Sequence, residues 1–169
     1  MSRTMVGVLQ QGGRDPSSRP VYTPEERARR DATRWTMVQG VLAPLQFVVF
    51  LVSLALIVRW LVTGEGWAVA AASVAVKTLV LYLIMVTGAI WEKVVFGRYL
   101  FAPSFFWEDV FSMAVIALHT ACLVAWFSGE SLLDARSQML LALAAYATYV
   151  INAGQFLFKL RRARLERAP

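Results

Sequence analysis

The sequence predicts an all-α polytopic membrane protein: a four-transmembrane-helix bundle with both termini in the cytoplasm and an aromatic cytoplasmic linker between the second and third spans. Of the 169 residues, 58% are hydrophobic, which is more than a soluble domain of this size usually carries. The charged residues lie mostly between long apolar runs. Four of these runs reach the length of about 20 residues that is needed to cross a bilayer.

The N-terminal part divides into a tail and a helix. Residues 1–20 are rich in Gly, Ser, Gln, Pro and Arg, a composition that predicts a disordered cytoplasmic tail. Thr23 can cap a helix, Pro24 suits the first helical position, and Glu26 completes a capping box. We therefore expect a helix from about Pro24, and a single transmembrane domain over residues 21–169.

The apolar runs predict four spans at about residues 35–61, 67–91, 105–127 and 138–160. The first should be kinked at Pro44. The residues T-G-E-G at 63–66 are typical of a short turn. The aromatic linker follows the second span, and Ser104, after Pro103, is expected to cap the third.

Lys and Arg are distributed unevenly over the two sides of the predicted bundle. The N-terminal part has seven Arg, the second connection has two cations and the C-terminal end has five, against Arg59 and Arg136 on the other side and Lys77 inside a span. Since cytoplasmic segments carry the excess of Lys and Arg, both termini and the aromatic linker should be cytoplasmic. The net charge of +6 then indicates a membrane surface, and not nucleic acid.

Polar side chains within spans are expensive to insert and are therefore candidates for function. With a helical rise of about 1.5 Å per residue, they fall into two predicted layers, and all four spans contribute to both. The cytoplasmic layer comprises Gln39, Glu92, Glu108, Asp109, Asn152 and Gln155. The deeper layer comprises Gln46, Lys77, His119 and Tyr146. This pattern suits a bundle with a polar interior, where sites are built from facing helices.

Each candidate also has a purely structural explanation. Glu92 and Lys93 could form an interfacial ion pair at a helix end, and Glu108 and Asp109 could interact with a helix dipole. Lys77 could bond a backbone carbonyl or extend to the interface. The linker aromatics could form an interfacial belt. Hydrogen bonds in the packed bundle would account for His119, Asn152 and Gln155.

The sequence lacks the motifs of soluble catalytic sites. It has no P-loop, dinucleotide fingerprint or nucleophile elbow, and its single His excludes a bis-His haem or di-iron centre within one subunit. The chemistry that these exclusions leave open is acid–base catalysis by carboxylates at the edge of the lipid. Desolvation favours the protonated form of a carboxyl group, so a buried Glu could act as a general acid on a hydrophobic substrate that arrives from the membrane.

Several long blocks of the sequence carry a resemblance to a known family. These blocks are V-Y-T-P-E-E-R-A-R-R-D-A-T, W-T-M-V-Q-G-V-L-A-P-L-Q-F, I-M-V-T-G-A-I-W-E-K-V-V-F-G-R-Y-L-F-A-P-S-F-F-W-E-D-V-F-S-M, A-L-H-T-A and A-A-Y-A-T-Y-V-I-N-A-G-Q-F. From about Val21 to Arg164 the chain resembles the 3-vinyl (bacterio)chlorophyllide hydratases of phototrophic bacteria. The resemblance implies a hydro-lyase of bacteriochlorophyll biosynthesis in the bacterial inner or intracytoplasmic photosynthetic membrane.

The implied reaction adds water across the C3 vinyl group of a magnesium chlorin, either chlorophyllide a or 3-vinyl bacteriochlorophyllide a, to give a 1-hydroxyethyl group. It needs no cofactor, since the magnesium belongs to the substrate. Glu92 with Glu108 or Asp109 is the predicted acid–base pair. His119 could ligate the magnesium as a neutral imidazole, or orient water. Further side chains expected to contact the pigment are Trp91, Lys93, Arg98, Phe105, Phe106, Trp107, Tyr146, Asn152, Gln155, Lys77, Gln39 and Gln46.

Within that set, Lys93 and Arg98 are expected to hold the propionate of the pigment. Trp91, Phe105, Phe106 and Trp107 are expected to stack on its ring. The spacing of Glu108 and His119 makes two of the expected roles incompatible. Glu108 and His119 are eleven residues apart, about 16 Å of helix, too far for one pigment to place its magnesium at His119 and its vinyl group at Glu108 without strong tilt. His119, with Tyr146 and Lys77, could instead be the catalytic layer.

Two other classes of function stay open from the residues alone. A non-catalytic pigment-binding or assembly factor would use the same His and aromatic residues without the carboxylates. A small transporter would need a continuous polar path, against which the apolar outer ends of the spans argue. The expected partners are the pigment, the lipid bilayer, neighbouring enzymes of the same pathway and further copies of the chain.

Overall fold

The computed structural model describes residues 20–129 and 132–166. Within these ranges it contains five α-helices and no strand. The helices are α1 (Pro24–Ala32), α2 (Arg34–Thr63), α3 (Trp67–Phe96), α4 (Phe106–Phe127) and α5 (Ala135–Leu165). The last four are long and apolar enough to cross a membrane, as the sequence predicts. The predicted disordered tail falls on residues 1–19, which lie outside the described residues, and on residue 20.

Helix α1 begins where the sequence predicts. The Thr23 hydroxyl accepts a hydrogen bond from the Glu26 N–H at 3.2 Å, and the Glu26 carboxylate accepts one from the Thr23 N–H at 2.8 Å. These are the reciprocal bonds of a capping box. No residue of α1 itself is buried, whereas Val21 and Tyr22 just before it are. The buried side chains of Val21 and Tyr22 therefore anchor the start of α1 to the bundle.

Glycines end the first two long helices. Gly64 follows α2 with φ 74°, and Gly97 follows α3 with φ 82°, in the left-handed region that glycine adopts without a steric penalty. The turn predicted at residues 63–66 is confirmed. Helix α2 continues through Pro44.

The second connection differs from the prediction. Helix α3 ends at Phe96, five residues beyond the predicted end of the span, because residues 92–96 contain no Gly or Pro that would end a helix. Trp91, Glu92 and Lys93 therefore lie on the last turns of a helix, and the aromatic linker is shortened to residues 97–105.

The predicted cap of the third span was wrong. The residue before α4 is Phe105, which makes no side-chain capping bond. The backbone carbonyl of Ser104 instead accepts a hydrogen bond from Lys159 Nζ of α5. A long-range contact, which a local capping rule does not consider, therefore helps to fix the start of α4.

The four long helices pack as two antiparallel hairpins. Helix α2 packs against α3 and α4 against α5, and further contacts join α3 to α4 and α2 to α5. The interior contains small residues that allow close helix approach, among them Ala70, Ala142 and Ala145. A hydrophobic core runs along the bundle and includes Phe50 and Tyr149.

A second hydrophobic cluster closes the end of the bundle where both described termini lie. The Val21 N–H donates to Glu166 Oε2 at 3.0 Å, so the first and last described segments meet there. We call this second group the end cluster. Its buried members are Val21, Tyr22, Val95, Phe105 and Ala163, against which Trp91, Phe96 and Phe156 pack.

Candidate active site

The polar side chains predicted to face the bundle interior are for the most part buried. The residues Gln46, Lys77, Glu92, Glu108, Asp109, His119, Tyr146 and Asn152 are all buried, while Gln39 and Gln155 are half-buried. They form two groups at different depths. The carboxylate cluster consists of Glu92, Glu108 and Asp109, and the deep cluster consists of Gln46, Lys77, His119 and Tyr146.

A pair of carboxyl groups lies at the centre of the carboxylate cluster. The side chains of Glu92 of α3 and Asp109 of α4 are both buried and lie close enough to interact. Asp109 Oδ2 also accepts from the Phe101 N–H at 2.7 Å, and Glu92 Oε2 accepts from the Ala102 N–H at 3.3 Å. A carboxylate only accepts hydrogen bonds, so two carboxyl groups bond to each other only when one holds a proton. Holding one proton between them, the two carboxyl groups could both give and receive a proton.

The loop beside this pair has a strained backbone. Phe101 has φ 58°, in the left-handed region that costs a residue with a Cβ about 1–2 kcal/mol. In this conformation its N–H reaches Asp109 Oδ2. Backbone strain of this kind clusters at functional sites, and here it accompanies two buried ionisable groups.

Glu108 forms an ion pair with a different residue. Its Oε2 lies 2.7 Å from Lys159 Nζ of α5, and its backbone carbonyl accepts hydrogen bonds from Ser112 Oγ at 2.8 Å and Asn152 Nδ2 at 2.9 Å. Asn152 in turn lies 3.5 Å from Gln155 Oε1. A carboxylate paired with a lysine is the charged form, so the geometry favours Asp109 over Glu108 as the partner of Glu92.

His119 occupies the deep cluster with one ring nitrogen unused. Its Nδ1 lies 2.8 Å from the Val115 carbonyl, and because a carbonyl only accepts, Nδ1 carries the proton. The Nε2 lone pair has no hydrogen-bond partner among the described residues, and His119 is 0% exposed. The ring stacks on Tyr146 with centroids 5.7 Å apart. This tautomer is the one that could ligate a metal through Nε2.

Other members of the deep cluster are also incompletely paired. Lys77 Nζ lies 3.7 Å from the Tyr149 ring centroid, without a hydrogen-bond partner in the described part of the chain, and the same holds for both polar atoms of the Gln46 side chain. The Tyr146 hydroxyl donates to Ser53 Oγ at 2.6 Å. These contacts join α2, α3, α4 and α5 at a depth well below the carboxylates.

The four aromatic side chains predicted to stack on a pigment divide into two pairs. Trp91 and Phe105 lie in the end cluster, edge to face with centroids 5.8 Å apart. Phe106 and Trp107 are 44% and 67% exposed on the outer face of α4. Phe105 lies near the carboxylate cluster, because Lys159 Nζ, which pairs with Glu108, is 5.2 Å from its ring centroid.

The remaining predicted contacts lie away from that pair. Lys93 is exposed and its Nζ donates to the Gly97 carbonyl at 2.9 Å, and Arg98 is exposed in the linker. Gln39 Nε2 donates to Thr87 Oγ1 at 2.7 Å, so it joins α2 to α3 and does not bond the carboxylate cluster. Sequence reasoning missed the N–H groups of residues 101 and 102, because backbone donors leave no signature in residue type.

A groove opens beside the end cluster. It has a volume of about 240 Å³ and is lined by Arg30, Asp31, Thr36, Leu160, Ala163 and Arg164. Pockets for drug-sized ligands span about 300–1,000 Å³, so this groove can hold a side arm of a tetrapyrrole but not the macrocycle.

Comparison with known proteins gives a consistent result. A family model for 2-vinyl bacteriochlorophyllide hydratase matches residues 22–162. The chain is similar to a 2-vinyl bacteriochlorophyllide hydratase of Rhodobacter capsulatus, with 68% identity over 154 residues, 91% of this chain and 88% of the relative. It is also similar to a protein of the same name from Cereibacter sphaeroides, with 70% identity over 148 residues, 88% of this chain and 91% of the relative. No solved structure matches it significantly.

Proposed function

The chain belongs to the 2-vinyl bacteriochlorophyllide hydratase family, and we propose that it is a hydro-lyase that hydrates the vinyl group of chlorophyllide a or 3-vinyl bacteriochlorophyllide a in bacteriochlorophyll biosynthesis. The names 2-vinyl and 3-vinyl number the same position of the macrocycle under two conventions. The observation that best supports a mechanism is the buried pair of Glu92 and Asp109, each of which accepts a backbone N–H from the same loop.

Within this pair Glu92 is the acid and Asp109 is the base. Asp109 accepts the shorter backbone bond, 2.7 Å from Phe101 against 3.3 Å from Ala102 to Glu92. Hydrogen bonds to an ionised acceptor are the shorter ones. The shared proton therefore resides on Glu92 in the resting enzyme.

Each step conserves atoms and charge. The Glu92 carboxylic acid gives its proton to the terminal vinyl carbon, and the π electrons form the new C–H bond. The cation left on the inner carbon is conjugated with the macrocycle, which lowers the barrier. Water attacks that carbon while Asp109 takes a proton from the water. The hydrogen bond within the pair then returns the proton to Glu92, with no net oxidation and no redox cofactor.

The pigment reaches this pair from the end of the bundle that α1 covers. When Tyr22 and its segment move aside, Trp91 and Phe105 become available to contact the macrocycle next to Glu92. His119 then lies too deep to ligate the magnesium of the same pigment, since eleven residues separate it from Glu108, about 16 Å of helix. The deep cluster joins the four spans, and Phe106 and Trp107 lie at the interface with lipid.

The end that holds the carboxyl pair faces the cytoplasm, in the inner or intracytoplasmic photosynthetic membrane. Four spans bring both termini to the same side of the membrane, and the excess of Lys and Arg there supports a cytoplasmic location. Substrate entry and product transfer to a neighbouring enzyme of the pathway then take place on that side.

Replacing Glu92 by Gln tests the acid. Gln has nearly the same shape and still accepts the Ala102 N–H, but it has no proton to give to carbon. With the full chain in lipid nanodiscs and chlorophyllide a, we expect kcat to fall at least about 100-fold, the usual contribution of a general acid or base. Pigment binding should persist. Loss of vinyl conjugation can be followed by absorption and the hydroxyethyl product by mass spectrometry.

Glu65→Gln is the matched control, because Glu65 lies in the turn at the opposite end of the bundle, 3.8 Å from Arg59, and should keep full turnover. Equal loss of binding and turnover in Glu92→Gln would assign Glu92 a structural role. A wild-type chain that binds pigment and never hydrates it would be a pigment-binding factor, contrary to the proposal.

A further inference from the structure

The groove beside the end cluster combines an apolar floor with a charged rim. Leu160 and Ala163 form the floor, and Arg30, Asp31 and Arg164 contribute the charges. Arg30 Nε and Nη2 both donate to Asp31 Oδ1, at 2.8 and 2.6 Å, so these two charges compensate each other. The groove is left with one positive charge in excess, on Arg164.

Arg164 is placed to receive an anion. Its side chain is exposed, and within residues 20–129 and 132–166 its guanidinium forms no ion pair. The guanidinium group is a planar fork that matches a carboxylate through two parallel hydrogen bonds. An alkyl arm that ends in a carboxylate would complement both the floor and the rim of the groove.

The groove is also close to the proposed reaction site. Thr36 lines it, and Thr36 Oγ1 accepts a hydrogen bond from Trp91 Nε1 at 2.9 Å. Trp91 directly precedes Glu92. Ala163 on the groove floor packs with Phe105 in the end cluster. A macrocycle in contact with these two aromatic side chains would have Glu92 near one edge and the groove near another.

We propose that this groove binds the carboxylate arm of the pigment and that Arg164 is its anchor. The inference rests on the proposed function, because a chlorophyllide carries a propionate with a free carboxylate. Its methylene groups lie against Leu160 and Ala163, and its carboxylate meets Arg164. An esterified pigment has no charge to offer at this position, so the anchor selects the free acid.

The test compares chlorophyllide a with its methyl ester, using wild type and Arg164→Gln in nanodiscs of neutral lipid. For wild type, KM should be about tenfold lower for the acid than for the ester, the value of one partly exposed charge-assisted contact. Arg164→Gln should raise KM for the acid about tenfold, leave KM for the ester unchanged, and leave kcat for both pigments unchanged. Arg161→Gln is the matched control, since Arg161 is exposed on the same helix and does not line the groove.

Three results would overturn the anchor. Arg164→Gln could weaken the binding of both pigments equally. Lys93→Gln or Arg98→Gln could show the acid-selective pattern in its place. An effect that appears only with anionic phospholipid, and equally for both pigments, would identify a lipid phosphate as the ligand. Direct titration of pigment binding by absorption tests the Arg164 anchor separately from the proposed hydratase activity. Acid-selective binding can be measured even if the wild-type protein converts neither pigment.

Discussion

The ion pair of Glu108 and Lys159 shows how charge is accommodated inside this bundle. The two side chains are 8% and 24% exposed, with 2.7 Å between their charged atoms. Lys159 Nζ also donates to the Ser104 carbonyl. Buried charges offset their desolvation cost only while both partners are present. The pair therefore links the start of α4 to α5, and it does so beside the proposed catalytic residues.

Removing either partner should destabilise the protein. We expect Glu108→Gln and Lys159→Met each to lower the free energy of unfolding by about 1–3 kcal/mol, and the double variant to recover part of that loss through a coupling of about 0.5–3 kcal/mol. Reversible unfolding in mixed detergent micelles, followed by circular dichroism, measures all four proteins. Strictly additive losses would mean that the two side chains are not coupled.

At the scale of an element, α1 depends on the aromatic contacts of Tyr22. The Tyr22 ring stacks on Phe96 with centroids 5.8 Å apart and lies 6.1 Å from Phe105. The Arg30 guanidinium lies 4.6 Å from the Tyr22 ring centroid. Burial raises the pKa of the Tyr22 phenol, while the neighbouring Arg30 charge opposes this effect. Tyr22 therefore couples the docking of α1 to pH.

The sign of this coupling follows from the raised pKa. Because folding favours the protonated phenol, the contribution of Tyr22 to stability is complete below its unfolded pKa of about 10 and is lost as pH rises through the folded value. We expect cleavage in α1 by a trypsin-like protease to accelerate above pH 10 relative to Tyr22→Phe, which keeps the ring and cannot ionise. Deprotonation of lysines affects both proteins alike. Parallel pH profiles for the two would contradict the prediction.

For the whole molecule, the unequal distribution of Lys and Arg predicts the orientation in the membrane. Cys122 is a buried free cysteine, so Cys122→Ala provides a background without thiols. Glu65→Cys and Arg98→Cys then place single thiols at opposite ends of the bundle.

A membrane-impermeant maleimide should label Glu65→Cys in intact spheroplasts, and Arg98→Cys only after the membrane is permeabilised. This outcome follows if the carboxyl pair faces the cytoplasm. The opposite labelling pattern would place both termini outside. Labelling of the denatured proteins to equal extent serves as the control for reactivity.

Features that depend on local patterns could be predicted from the residues alone. The lengths of the apolar runs predicted the four spans, because bilayer thickness sets the length of a helix that crosses it. Thr23 and Glu26 predicted the capping box, which needs only residues three apart. The spacing of Glu108 and His119 placed both on one face of a helix, and both are buried in the bundle. The long matching blocks also pointed to the family.

Which carboxylates meet depends on the packing of the helices. Glu108 and Asp109 are adjacent in the chain, but consecutive helical residues project about 100° apart, so one contacts Lys159 and the other contacts Glu92. Both contacts join residues far apart in sequence, and the loop donors of Phe101 and Ala102 belong to a backbone shape that no residue type encodes. Partner choice in the carboxylate cluster therefore follows from how the helices pack, which local spacing does not contain.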